Sequence, residues 1–201
     1  MKRHFEEELR SLKAEILKMA ALTEESIYKA TEALKNQDEN SAKLVIEEDE
    51  NIDELELLIE DRCMCLLALR QPLAIDLRFI TTAMKINMEL ERIADLVVNI
   101  AERAVSLSKI PMLKPLIDIP KLSKITQKMV KNSIDAFVNE NEKLAKDVIL
   151  SDKEADDLRN AIFSELVNDY MVKGGDIIPR AVSLLLISRD LERICDRAVS
   201  I

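Results

Sequence analysis

Leu90-Glu91-Arg92-Ile93-Ala94-Asp95 returns, with five of six letters unchanged, as Leu191-Glu192-Arg193-Ile194-Cys195-Asp196, at an offset of 101 residues. An acidic residue also precedes each copy, Glu89 and Asp190. Within a helix, residues four apart lie one above the other on one face, about 6 Å apart along the axis. Each copy therefore aims two carboxylates in one direction while its Leu and Ile point elsewhere.

A second echo accompanies the first. Asp49-Glu50-Asn51-Ile52-Asp53-Glu54-Leu55 is matched by Asp152-Lys153-Glu154-Ala155-Asp156-Asp157-Leu158, at an offset of 103. Ala42, Lys43, Val45 and Ile46 match Ala145, Lys146, Val148 and Ile149 at the same offset. The chain reads as a tandem duplication of units of about a hundred residues, each the size of a small domain.

Apolar residues recur at three- and four-residue steps throughout, which predicts long amphipathic helices. Phe5 to Leu34 forms the first, ending in the polar run Lys35–Asn40, and a second runs from about Ser41 to Leu69. Gln71-Pro72 breaks the pattern, with Pro72 expected to open a third helix reaching about Ser108. That helix carries the core stripe Phe79, Ala83, Ile86, Leu90, Ile93, Val97, Ile100 and Ala104. Ile80, Met84 and Met88 add a second apolar side, so it belongs in the middle of the structure. Three further helices repeat the plan, with Asp118 and Asp176 expected as caps and Gly174-Gly175 as a stop. The predicted class is all-α, two tandem three-helix bundles of six long antiparallel helices. The expected division is a first repeat over 1–110, a proline-rich linker over 111–120 and a second repeat over 121–201. The pattern is still helical at Ile201, so the last helix is expected to run on.

Composition narrows the function. With 201 residues, 48% hydrophobic and 33% charged, the chain can bury a core. Two glycines and no tryptophan favour few turns and long elements. A net charge of −9 and 3% aromatics argue against nucleic acid, which calls for a basic stripe or a stacking platform. No apolar run approaches the length of a membrane span. Three cysteines without a framework suggest reduced thiols in a cytoplasm, read as small buried hydrophobes.

The turn at Gln71 sets the heights of the carboxylates. Asp53 lies 18 residues before it and Glu91 20 after, Asp49 22 before and Asp95 24 after. At about 1.5 Å per residue the pairs sit within one helical turn of a common height. The same holds for Asp152 with Asp196 and Asp156 with Glu192 about Gly174-Gly175. The plain alternative is a solvated acidic face, with Arg92 and Arg193 as surface partners. Recurrence in both repeats and matched heights favour a cation site instead. Oxygen-only ligands suit magnesium, manganese, calcium or oxidised iron, whereas zinc would want a histidine nearer than His4. A ferritin-like centre would need Glu-x-x-His, which the sequence lacks.

The doubled Leu-Glu-Arg-Ile-x-Asp, the upstream Asp-x-x-x-Asp copies and Pro72-Leu73-Ala74-Ile75-Asp76-Leu77-Arg78 resemble the PhoU family of phosphate-transport accessory and regulatory proteins. The resemblance covers essentially the whole chain and implies two three-helix bundles with surface metal clusters, iron being the best-known occupant. It places the ligands on Asp49, Asp53, Glu91, Asp95, Asp152, Asp156, Glu192 and Asp196, with Asn99 and Glu102 matching the family's trailing Asn-Ile-Ala-Glu. Where the family often has Gly-Asp-His, this chain has Ala94-Asp95-Leu96 and Cys195-Asp196-Arg197. The implied role is a cytoplasmic, non-enzymatic adaptor that negatively regulates the phosphate-starvation response. Its implied partners are the ATPase subunit of the phosphate ABC transporter and a sensor histidine kinase, and a homodimer is left open. The alternatives are a carboxylate-bridged metalloenzyme or metal store, and a helical scaffold without metal.

Overall fold

The first helix closes without a glycine. In the computed structural model, which describes residues 2–201 with side chains from residue 5 onward, α1 (Lys2–Asn36) ends where Gln37 turns left-handed at φ 52°. The His4 side chain, set aside as a ligand above, lies outside the described residues. Asp38 N–H then returns to Ala33 O at 2.9 Å, the six-to-one closure of a Schellman turn. The Asp38 carboxylate accepts from the N–H groups of Asn40 and Ser41 and so caps α2 (Glu39–Glu48). The device recurs between α5 (Asp118–Val138) and α6 (Glu142–Glu165). There Glu140 is left-handed at φ 51°, Asn141 N–H reaches Ala136 O at 2.8 Å, and the Asn141 side chain accepts from Leu144 N–H.

The predicted second helix is two segments, α2 and α3 (Glu50–Arg70), jointed at Asp49. Asp49 keeps helical angles (φ −61°, ψ −32°), and its carbonyl accepts from both Ile52 N–H at 2.8 Å and Asp53 N–H at 3.1 Å. The shorter, three-residue bond tightens the turn at one of the predicted ligands. Gln71 ends α3 in the left-handed region at φ 47°. Helix α4 (Ala74–Ser108) starts after an extended Leu73, so Pro72 stands outside the helix it was expected to open. Gln71 has already closed α3 in the left-handed region, and the extended Leu73 delays the next helix to Ala74.

Two expected caps are also corrected. Asp118 lies inside the first turn of α5, where it pairs with Lys121 at 2.9 Å, and Ile117 precedes it without a side-chain cap. Asp176 makes no side-chain cap bond to α7 (Ile177–Ser200); its carbonyl accepts from Arg180 Nε at 3.1 Å. Gly174 and Gly175, at φ 70° and 62°, do stop the chain, but α6 first widens into a π turn over Leu166–Tyr170 and then tightens over Met171–Lys173. No strand occurs among the described residues.

Helices α1, α2/α3 and α4 form one three-helix bundle, and α5, α6 and α7 the other. The bundles meet through α1 against α5 and α4 against α7. Cross-links give both pairs an antiparallel sense. Thr31 Oγ1 donates to Ser123 Oγ at 2.8 Å, and Lys13 reaches Val138 O. On the other pair, Arg103 binds Asp190 at 2.6 Å and Arg197 binds Glu89 at 3.2 Å. Phe79 stacks on Phe137 at 5.3 Å between centroids. A single hydrophobic core therefore runs through both bundles. The central position expected of α4 is observed, since it touches α1, α2, α3 and α7. Ile80 on its second side is buried, but Met88 is exposed. Residues 109–117 lie outside the helices, tied down by Gln37 Nε2 to Ile110 O (2.9 Å) and Arg180 Nη1 to Pro111 O (3.1 Å). Pro120 already lies in the first turn of α5.

Asp190 is only 2% exposed, so deleting Arg103 would leave a carboxylate buried without its closest cation. Arg103→Ala is expected to cost about 3–5 kcal/mol in urea unfolding, and a loss under about 1 kcal/mol would show that the pair does not hold the bundles together. Trypsin is expected to cut first after the exposed Lys109, with the two fragments still co-eluting on gel filtration because they share one core.

Candidate metal centre

Helix geometry sorts the repeated hexapeptide as its spacing predicts. Leu90, Ile93, Leu191 and Ile194 are 0% exposed, whereas Glu91 and Glu192 are half-buried and Asp95 and Asp196 are exposed. The opposing helices follow the same pattern, with Asp49 and Asp152 half-buried and Asp53 and Asp156 exposed. Asn87 Nδ2 on α4 donates to Glu56 O on α3 at 2.9 Å, which fixes the register of the two helices. Asp53 then stands level with Glu91, and Asp49 with Asp95.

The electrostatics show which carboxylates feel one another. Burial pushes Asp49 up from 3.8 to about 6, aided by the charges of Asp53 and Asp95. Glu91 is raised by burial and then by Asp95, Glu56 and Asp53, with Arg92 opposing. In the second repeat burial raises Asp152, followed by Asp156 and Asp196. Burial also raises Glu192, with Asp196, Asp156 and Asp152 adding to it and Arg159 opposing. Each quartet is thus within mutual electrostatic reach. Among the described residues, no three His, Cys, Asp or Glu side chains are drawn in to a ready ligand set. Bare carboxylates repel by about 1 kcal/mol per pair at 4 Å in water and by more near a protein surface, which disfavours closer approach.

The donor chemistry fits a hard cation. All eight side chains offer carboxylate oxygen, and Asp152 Oδ1 is buried without a hydrogen-bond partner. A buried acceptor left unpaired costs about 1–3 kcal/mol, so a positive ligand there would remove a penalty. Arg92 pairs with Glu89 at 3.0 Å and its charge also acts on Glu91, as the alternative reading of a solvated face with arginine partners supposed. Asn99 donates to Asp95 O at 2.9 Å and steadies that turn of α4. Cys195 sits behind the second quartet, buried against Thr126 Oγ1 at 3.3 Å, and burial pushes its thiol up to about 12. Cys63 is likewise pushed up to about 11, so both are inert buried thiols, whereas Cys65 is exposed, against expectation.

Several residues near the faces were not singled out from sequence. Glu56 acts on Glu91, and Arg159 acts on Glu192. They occupy the same position at the 103-residue offset that aligns Asp53 with Asp156, so the signal was available. The acids preceding each hexapeptide, Glu89 and Asp190, turn out to be the inter-bundle ion pairs.

The model of the PhoU domain matches residues 16–104 and again 119–201, one match on each bundle. The phosphate-specific transport system accessory protein PhoU homolog of Aquifex aeolicus is 42% identical over 186 residues, covering 92% of this chain and 84% of that protein. Homolog 1 from Thermotoga maritima is 38% identical, covering 97% and 84%. The crystal structure of PhoU from Pseudomonas aeruginosa superposes with a TM-score of 0.92 at 33% identity, covering 98% of this chain and 94% of that one. That of the phosphate transport system regulatory protein PhoU from Streptococcus pneumoniae gives 0.88 at 27%, covering 98% and 92%. Two domain matches, full-length relatives and a shared fold lead to one conclusion: the chain belongs to the PhoU family.

Proposed function

We propose that this protein is a metal-binding accessory and regulatory protein of phosphate uptake. In this reading it works in the cytoplasm as a non-catalytic adaptor between the ATPase subunit of a phosphate transporter and its sensor histidine kinase, restraining the starvation response. The observation that carries the reading is the match of the PhoU domain to both bundles, alongside relatives named as accessory proteins of phosphate-specific transport. The net charge of −9 disfavours a nucleic-acid partner, and no helix among the described residues is long and apolar enough to cross a membrane.

Asp49, Asp53, Glu91 and Asp95 would hold a cation on the first bundle, and Asp152, Asp156, Glu192 and Asp196 on the second. Iron, manganese and magnesium all suit an all-oxygen set. A bound cation would supply charge neutralisation and a cross-tie between α3 and α4, or α6 and α7. The chain's own part is to hold the carboxylates at matched heights on helices whose opposite faces are buried.

Three outcomes test the proposal. Immobilised protein is expected to capture the transporter's ATPase subunit or the sensor kinase; capture of neither, together with tight salt-dependent DNA binding, would overturn the adaptor reading. Manganese is expected to raise the melting temperature of the wild type and to do so less for Glu91→Ala; equal shifts would leave the carboxylates as a solvated face. In chelator the sign with pH is also set. The native state holds the Asp49 proton to about 6, above the ordinary 3.8, so its stabilising contribution is full at low pH and is lost as pH rises through 6. The raised values of Glu91, Asp152 and Glu192 act in the same direction. Metal-free protein is therefore expected to lose stability across that window, and Asp49→Asn to flatten the loss in thermal melts.

A further inference from the structure

The two acidic faces occupy equivalent positions, yet their surroundings differ. Glu56 in the first repeat is Arg159 in the second, and Glu60 is Phe163. The first face thus gathers Asp49, Asp53, Glu56, Glu91 and Asp95 with Arg92, a formal charge of −4. The second gathers Asp152, Asp156, Glu192 and Asp196 with Arg159, a formal charge of −3. Both added groups lie within electrostatic reach of their site: Glu56 acts on Glu91, and Arg159 on Glu192 with the opposite sign.

A second difference is independent of charge. Asn87, four residues before Glu91 and on the same face of α4, is 1% exposed. Its Nδ2 donates to Glu56 O at 2.9 Å, and its Oδ1 is buried with no partner. An amide oxygen is a hard donor of the kind that magnesium, calcium and manganese accept. At the equivalent place in the second repeat, Ser188 is equally buried, but its hydroxyl is satisfied by donating to Leu185 O at 2.8 Å.

We propose that the two faces are unequal cation sites: Glu56 and Asn87 make the first the tighter, and Arg159 serves the second as a built-in counter-charge. This rests on the metal reading above. The first site then fills at low metal concentration, and the second must displace or outcompete the Arg159 guanidinium before it fills. One net unit of charge within a few ångströms of a divalent ion makes a difference of about tenfold in affinity.

The test is calorimetric titration of chelator-stripped protein with manganese alone. Wild type is expected to show two classes separated by about tenfold or more. Glu91→Ala is expected to remove the tight class and Glu192→Ala the weak one. Arg159→Glu is expected to strengthen the weak class by about tenfold or more while leaving the tight class unmoved, and Glu56→Arg to weaken the tight class. Asn87→Ser is expected to weaken the tight class alone. Arg159 is half-exposed and its hydrogen bond runs to neighbouring Asn160, so its replacement spares the core. Two classes of equal affinity, an unresponsive weak class in Arg159→Glu, or loss of the tight class in Glu192→Ala would overturn this inference and leave the metal reading standing. An absence of saturable manganese binding would remove both.

Discussion

The buried stripe Leu90–Ile93–Val97 on α4 decides where the charges of this molecule stand. Each of the three is at most 1% exposed. Burying such a side chain stabilises by about 1.5–3 kcal/mol, and three in a row on a helix packed against four others fix its rotation. Repulsion between neighbouring carboxylates, about 1 kcal/mol per pair at 4 Å in water, is too small to turn the helix away. Leu191, Ile194 and Ala198 hold α7 in the same way. The acidic faces are thus a consequence of core packing on the opposite side. Burial against that core is the first cause of the raised pKa values of Asp49, Glu91, Asp152 and Glu192.

Much of this was legible in the residues. The hexapeptide and its copy marked the duplication, and counting from the Gln71 turn put Asp49 level with Asp95 and Asp53 level with Glu91, as the Asn87–Glu56 bond now fixes. What escaped was local. The joint at Asp49 leaves no mark in an apolar pattern that runs unbroken from Val45 through Ile52 to Leu55. Asp118 and Asp176 carry the right chemistry for caps, but a cap depends on backbone angles at one residue; Asp118 lies inside the helix and pairs with Lys121, and Asp176 makes no side-chain cap bond. Pro72 was assigned to the helix because proline suits a first turn; the left-handed Gln71 before it closes α3, and the extended Leu73 after it delays the start to Ala74.

Glu89 and Asp190 show a different limit. They stand at the same place in the two copies and invite one explanation, yet each finds its partner in the other bundle. Glu89 holds Arg197 as well as its helix neighbour Arg92, while Asp190 is buried with Arg103. Contacts across more than eighty residues of chain carry no periodic signature, so only the fold reveals them. The comparison at the 103-residue offset was more informative than either repeat alone, because the position of Glu56 and Arg159 is visible there as a change of sign.

The antiparallel pairing of α1 with α5 and α4 with α7 is the geometry of a two-fold dimer whose halves share one chain. A true two-fold interface must be self-complementary, so any substitution on one side appears on both. Covalent fusion lifts that requirement. Arg103–Asp190 and Arg197–Glu89 need not mirror each other, and a glutamate on one flank can stand opposite an arginine on the other. A molecule assembled from two identical units could carry only two identical acidic faces; in the fused chain the two faces differ, as Glu56 and Arg159 do.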